Sequence, residues 1–157
     1  NSLQDQGIIM KLYEASQAGV RIQVIARSIN CAVSGIKGLS DQIEAISIVD
    51  RLLEHARIMI FANGDNERIY IGSSDWMKRN IDRRVEVMTP IYDENIKAIL
   101  RTVINYQLKD NTKARLWEKN LGNKYKKNDS KESFRSQYEI YNYFNSLLDI
   151  QLNEDEK

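Results

Sequence analysis

The sequence predicts an α/β domain: a mixed sheet flanked by helices, followed by a C-terminal helical tail. Three observations lead there. Apolar residues recur at helical spacing over 5–18 and again over 93–108. They alternate at strand spacing over 20–27 and 83–90, and a short apolar run at 43–49 reads as a further strand. Two apolar runs flank Asn63-Gly64, which reads as the turn of a β-hairpin.

In chain order, Ile8, Ile9, Leu12, Ala15 and Ala18 form one face of the first helix. Ser2 or Asp5 can cap its start, and Gly19 is placed to end it. No strand is expected before it. A crossover helix with nothing ahead of it, in a chain starting at Asn1, reads as a piece of a longer protein, with half of a site elsewhere. In the strand at 20–27, Val20, Ile22, Val24 and Ala26 take one face and Arg21, Gln23, Ile25 and Arg27 the other. Arg27 stands at its C-terminal end, the edge at which α/β sheets bind ligands. Residues 28–40, with Cys31, Gly35 and Gly38, lack a period and read as a loop. Residues 75–82 read as a connecting loop or single turn. In 83–90, Val85, Val87 and Thr89 oppose Arg84, Glu86 and Met88, and Pro90 is expected to end the strand. Asp93 caps a helix with Ile96, Ile99, Leu100, Val103 and Ile104 inward.

After Asp110 the character changes. Residues 118–131 hold Lys119, Lys124, Lys126, Lys127 and Lys131 without apolar period and read as a basic surface loop. Phe134, Tyr138, Tyr141, Phe144 and Leu148 mark a terminal amphipathic helix, expected to pack on the main domain or on one lying elsewhere. Residues 153–157 are expected to fray. The expected division is a main domain at 1–116 and a basic loop with its packing helix at 117–157.

Composition narrows the classes. A length of 157 residues supports one core. A net charge of +1 gives no global field for nucleic acid, so an anion site must be a local cluster. The single Cys31 excludes an internal disulfide and fits a reducing, cytoplasmic setting, with peripheral membrane association left open. No apolar run nears the roughly 20 residues that span a bilayer. One histidine and one cysteine cannot make a zinc site, and no metal ligand is assigned. Neither a P-loop nor a dinucleotide fingerprint is present.

The hairpin at 53–76 carries the chemistry. His55 and Arg57 share a strand face, and an antiparallel hairpin brings its open ends together. His55, Arg57, Ser73, Ser74 and Asp75 are therefore expected on one patch. Imidazole moves protons near neutral pH, and guanidinium grips phosphate oxygens with paired hydrogen bonds. Asp75 could hold the imidazole tautomer or pair with an arginine. A Ser74, His55, Asp75 triad is conceivable, but no nucleophile elbow supports it. The bland alternative is a structural histidine beside a strand-end arginine, and for Arg27 a solvated charge. Arg79, Arg83 and Arg84 either line an anion path or pair with Asp75, Asp82 and Glu86.

His55-x-Arg57 followed by Gly72-Ser73-Ser74-Asp75 resembles the His-x-Lys and Gly-Ser-x-Asn signature of the phospholipase D superfamily, with arginine for lysine and Asp75 near the asparagine place. Blocks at 1–3, 13–20, 25–31, 48–57, 73–86 and 110–115 resemble, in order, bacterial polyphosphate kinase of the phosphohistidine type. That resemblance implies a phospholipase D-like C-terminal domain of an enzyme that reversibly moves the terminal phosphate of ATP onto polyphosphate. The phosphorylated histidine would lie in the preceding catalytic domain, and the isolated piece would be inactive. The position matching His55 would contact nucleotide and assist transfer, and that matching Arg27 would contact nucleotide phosphate. Mg2+ is implied for the full enzyme but not on residues of this chain. ATP or ADP, polyphosphate and a homo-oligomer are the implied partners, without nucleic acid. Two alternatives stand beside it. One is a phosphodiesterase half-site. The other is a non-catalytic polyanion-binding domain using the lysines of 119–131 and the aromatic helix.

Overall fold

The computed structural model describes residues 1–127 and 132–155, with side chains as far as 148. Its elements in order are α1 (Gln6–Gln17), β1 (Ile22–Ile25), β2 (Ile43–Ile48), β3 (Ile58–Phe61), β4 (Arg68–Gly72), α2 (Lys78–Arg83), β5 (Met88–Ile91), α3 (Glu94–Lys109), β6 (Ala114–Leu116) and α4 (Ser136–Asp155). Both long helices of the main body start where an aspartate caps them. Asp5 accepts from the Ile8 amide at 2.9 Å, and Asp93 from the amides of Asn95 and Ile96 at 2.8 and 3.0 Å.

The α/β class holds, with the strands shared between two three-stranded sheets rather than one. In the first, β2 is central, parallel to β1 and antiparallel to β6. The second, β3-β4-β5, is wholly antiparallel. Alternation reveals which residues are extended, not which strand each one pairs with, so this division was invisible in the sequence. Val24 and Ile25 face opposite sides of β1 and join different clusters. Val24 packs against the cluster of Leu3, Ile9 and Ala32, as Trp76 does, while Ile25 packs against Ile46, Ile48 and Ala114, as Leu108 does. Both faces of the first sheet are thus covered.

Several local readings change. The chain is not bare ahead of α1. Leu3 bridges Asn30 on one side and Trp76 on the other. Its amide donates to the Ile29 carbonyl at 2.7 Å, and the Trp76 amide donates to the Ser2 carbonyl at 3.0 Å. This strip stitches the chain after β1 to the chain after β4, and is too short to show a period. Residues 78–83 are helical, and the strand expected over 83–90 begins only at Met88. Pro90 lies inside β5 opposite Tyr70, which is allowed because β5 is an edge strand and its missing N–H can face outward. The three residues of β6 carry no readable pattern. The hairpin turn is as expected: Asn63 and Gly64 adopt φ of 49° and 58°, the left-handed region that an Asn-Gly pair tolerates.

Beyond β6, Lys126 donates to Glu44 and to the Leu108 carbonyl, both at 2.7 Å, and Trp117 donates its indole N–H to the Ala26 carbonyl at 2.9 Å. Lys131 lies outside the described residues. Helix α4 docks through Tyr106, whose ring meets Phe134 and Tyr143 edge-on at 5.4 and 6.0 Å. The expected stripe is mostly turned outward, since Tyr138, Tyr141, Phe144 and Leu148 are exposed. Aromatic residues lie on more than one face of this helix, and of the stripe Phe134 meets Tyr106, joined there by Tyr143. The helix continues to Asp155 where fraying was expected, and residues 156–157 lie outside the described residues. Fully buried Asp110 pins this end together. One oxygen accepts the amides of Thr112, Lys113 and Ala114, and the other the amide and hydroxyl of Ser136. Burial pushes its carboxyl pKa up, but those hydrogen bonds outweigh it and hold the pKa below the ordinary value.

Candidate phosphate site

Gly72 is where the second sheet opens toward the site. A Cβ there would stand 2.5 Å from the Val87 carbonyl and 2.2 Å from the Met88 sulfur, so only glycine permits this close approach of β4 to β5. Just past it, the Ser73 amide donates to the Val87 carbonyl at 3.0 Å. On the other side, the Gly72 amide donates to the Arg57 carbonyl at 3.1 Å. The open ends of the hairpin therefore meet as the sequence implies, with His55 and Arg57 just ahead of β3.

Asp75 organises the polar groups gathered at this open end. Its side chain is 5% exposed and that of Arg57 13%. Arg57 donates Nε to one carboxylate oxygen at 3.2 Å and Nη2 to the other at 3.1 Å, a two-pronged pair. The Ser2 amide adds a bond at 3.2 Å. Burial pushes the Asp75 carboxyl pKa up, and the hydrogen bonds and charge of Arg57 pull it further down, leaving it below the ordinary carboxylate range. Arg57 also donates Nη1 to the His55 carbonyl at 2.9 Å and to the His55 ring at Nδ1. Arg57 Nη2 also lies 3.3 Å from the His55 Nε2, so the guanidinium faces both ring nitrogens. Arg57 is thus a bracket between Asp75 and His55, with donors on all three nitrogens engaged. Asp75 reaches the imidazole only through it.

Arg27 joins from the first sheet. It stands partly buried just after β1 and donates Nε to the Asn1 side-chain oxygen at 3.0 Å. The Asn1 amide group in turn donates to Asp75 at 3.4 Å. A single polar chain therefore runs Arg27, Asn1, Asp75, Arg57, His55. Among the described residues the two terminal nitrogens of Arg27 have no protein acceptor, so they are available to an anion.

The remaining candidates divide. Buried Ser74 donates to the backbone carbonyl of Asp75 at 2.9 Å rather than to His55, so no Ser-His-Asp triad forms. Ser73 donates to Glu86, which also accepts from Asn80 at 2.6 Å. These two bonds, with the charges of Arg84 and Arg57, hold the Glu86 carboxyl below its ordinary range. Arg79, Arg83 and Arg84 are exposed, and none is ion-paired within 4.0 Å among the described residues; Asp75 takes Arg57 instead. Asn1, Asn80 and Glu86 acquire site contacts for which the sequence offered no signal beyond their places in the matching blocks. No group of three His, Cys, Asp or Glu side chains could hold a metal ion among the described residues, and Asp75 is already committed to Arg57. The lysines suggested for polyanion binding are partly occupied: Lys124 pairs with Glu118 at 3.3 Å and Lys126 with Glu44.

The family described as polyphosphate kinase C-terminal domain 2 matches residues 1–137. The polyphosphate kinase of Vibrio cholerae is 46% identical over 147 residues, which is 94% of this chain and 21% of that protein. That of Escherichia coli is 42% identical over the same length. A crystal structure of polyphosphate kinase from Porphyromonas gingivalis matches with a TM-score of 0.89 at 40% identity, over 93% of this chain and 22% of that one. The chain thus spans about a fifth of the length of the curated relatives it matches. Its α/β fold is of the phospholipase D-like kind that the sequence resemblance implied.

Proposed function

This chain belongs to the polyphosphate kinase C-terminal domain family, and from that premise we propose that it supplies one half of an ATP:polyphosphate phosphotransferase site. In this reading residues 1–116 form the phospholipase D-like domain, and 117–157 are its covering loop and helix. The terminal phosphate of ATP passes to a histidine of the preceding catalytic domain, the P–O bond to ADP breaks, and the phosphoryl group then moves to the end of a polyphosphate chain. Both steps are reversible. The protein is cytoplasmic and works as a homo-oligomer.

Phosphoryl transfer asks the protein mainly for positioning and charge stabilisation. Arg27 directs its terminal nitrogens to nucleotide phosphate oxygens. His55 donates a proton to the oxygen that gains charge as the P–O bond breaks. Arg57 keeps the imidazole in that orientation, and Arg79, Arg83 and Arg84 extend a positive path for polyphosphate. Mg2+ serves the full enzyme on ligands outside this chain, and no step here runs through it. The observation that carries the reading is the polar chain from Arg27 to His55, which gathers cationic donors from both sheets. In the full-length protein, His55→Ala is expected to lower polyphosphate synthesis by about 10²–10⁴-fold without changing the unfolding midpoint. Near-normal turnover would remove His55 from the mechanism.

A further inference from the structure

His55 does not sit on a regular element. It lies near the end of a strap, residues 49–57, that crosses from β2 in the first sheet to β3 in the second. The strap's own apolar side chains do not hold it, since Val49, Leu52 and Leu53 are all exposed. What holds it is a set of polar clips at alternate residues, supplied by α3, by α4 and by the residue just ahead of α4. Asp50, with its side chain 2% exposed, accepts Arg135 Nε at 2.7 Å and Nη2 at 2.5 Å. Arg135 is steadied from behind by the Tyr138 ring, 4.3 Å from the guanidinium carbon. Gln137 treats Leu52 as a neighbouring strand would. Its Oε1 accepts the Leu52 amide at 2.9 Å and its Nε2 donates to the Leu52 carbonyl at 2.8 Å. The same Nε2 donates to Glu54 at 2.9 Å, and Gln107 donates to the other Glu54 oxygen. Glu54 is the residue directly before His55. Ser136, between the two clip residues, is itself fixed by buried Asp110.

We propose that Arg135, just ahead of α4, and Gln137, in its first turn, are positioning residues for His55. They set the strap's path, so the angle at which the imidazole meets Arg57 is fixed from the C-terminal helix. The proposal rests on the reading of His55 as a working residue. It gives the tail a catalytic consequence that simple packing would not have. Gln137 suits the task because a primary amide carries a separate acceptor and donor that match the N–H and C=O of one backbone residue. Arg135 suits it because its fork matches a carboxylate at two points.

The test uses the full-length protein, with Gln137→Met removing the amide at nearly equal length and Arg135→Lys keeping the charge. Gln137→Met is expected to lower turnover by about 10–100-fold, the scale of a misplaced catalytic group, while KM for ATP changes little. Arg135→Ala is expected to behave likewise, and Arg135→Lys to recover part of the loss. Amide hydrogen exchange at 51–57 is expected to speed up in Gln137→Met, and His55→Ala/Gln137→Met to be no slower than His55→Ala alone. If His55→Ala is slow while Gln137→Met turns over normally, the positioning role is overturned and the site reading stands. If the double variant loses the full product of both effects, Gln137 acts on stability and the proposal is also overturned. If His55→Ala itself is near normal, the site reading and the proposal fall together.

Discussion

The two sheets use similar residues to different ends. In the first, β2 is buried along most of its length, Ile46 is 0% exposed, and helices cover both faces. In the second, the open end carries Val85 at 100% exposure, with Val87 and Leu53 also largely uncovered nearby. The first sheet is a scaffold whose side chains are spent on each other. The second ends in groups held in place by hydrogen bonds and still able to meet something outside. The candidate site is where the two join, through the strip at 1–4 and the pair Asp75–Arg57. Burial and polar bonding, not the count of charged residues, separate scaffold from site.

The largest test of this contrast is Asp75→Ala. Breaking a buried ion pair from one side strands the other charge, and typically costs about 3–5 kcal/mol. Urea unfolding of the full-length protein is expected to show a loss of that size. A loss under about 1 kcal/mol, the scale of a surface pair, would mean that the junction is solvated and holds nothing. Next comes Ile46→Ala, which opens a cavity in the first sheet and is expected to cost about 2–5 kcal/mol. Activity per folded molecule should stay unchanged, because the cluster around Ile46 is built from Ile48, Ala114, Ile25, Leu108 and Leu116, none of them a candidate site residue. A fall in turnover matching His55→Ala would erase the division between scaffold and site.

A smaller effect distinguishes the regions by pH. Asp110 in the tail junction and Asp75 in the site both have folded pKa values below their unfolded ones. Each therefore stabilises the fold fully at neutral pH, and the benefit fades as pH falls below about 3.9 and through the folded values. Acid titration is expected to leave the fold intact down to about pH 4, the ordinary carboxylate value, and Asp110→Asn to flatten the dependence below it. A stability loss already complete at pH 5 would contradict the assigned directions.

What was legible in the sequence was local. The caps at Asp5 and Asp93 and the Asn63-Gly64 turn act on neighbours within a few residues, so their chemistry shows in the chain itself. Arg57 beside both His55 and Asp75 was legible too, because the hairpin pairing that begins at Ile58 brings its two open ends together. Contacts made across long separations were not legible. Gln137 reaches Leu52 across 85 positions, and Ser2 reaches Asp75 across 73. Neither residue type announces such a partner. Arg57 shows the same limit at short range. Its pattern suggests a phosphate grip, while its donors are in fact divided between His55 and Asp75. Arg27, at the end of the other sheet, does keep two terminal nitrogens without a protein acceptor among the described residues.

The central claim, that groups from both sheets converge on one phosphate-bearing ligand, is tested most directly by ATP affinity in the full-length protein carrying Arg27→Ala. Among the described residues Arg27 is bonded through its side chain only to Asn1, so its removal should leave the unfolding midpoint in place. A charged hydrogen bond lost from the ligand is worth about 1.5–3 kcal/mol, so calorimetry is expected to show ATP binding weakened by about 10–100-fold. An unchanged Kd would contradict the account, because Arg27 would then be a solvated strand-end charge and the site would belong to the second sheet alone.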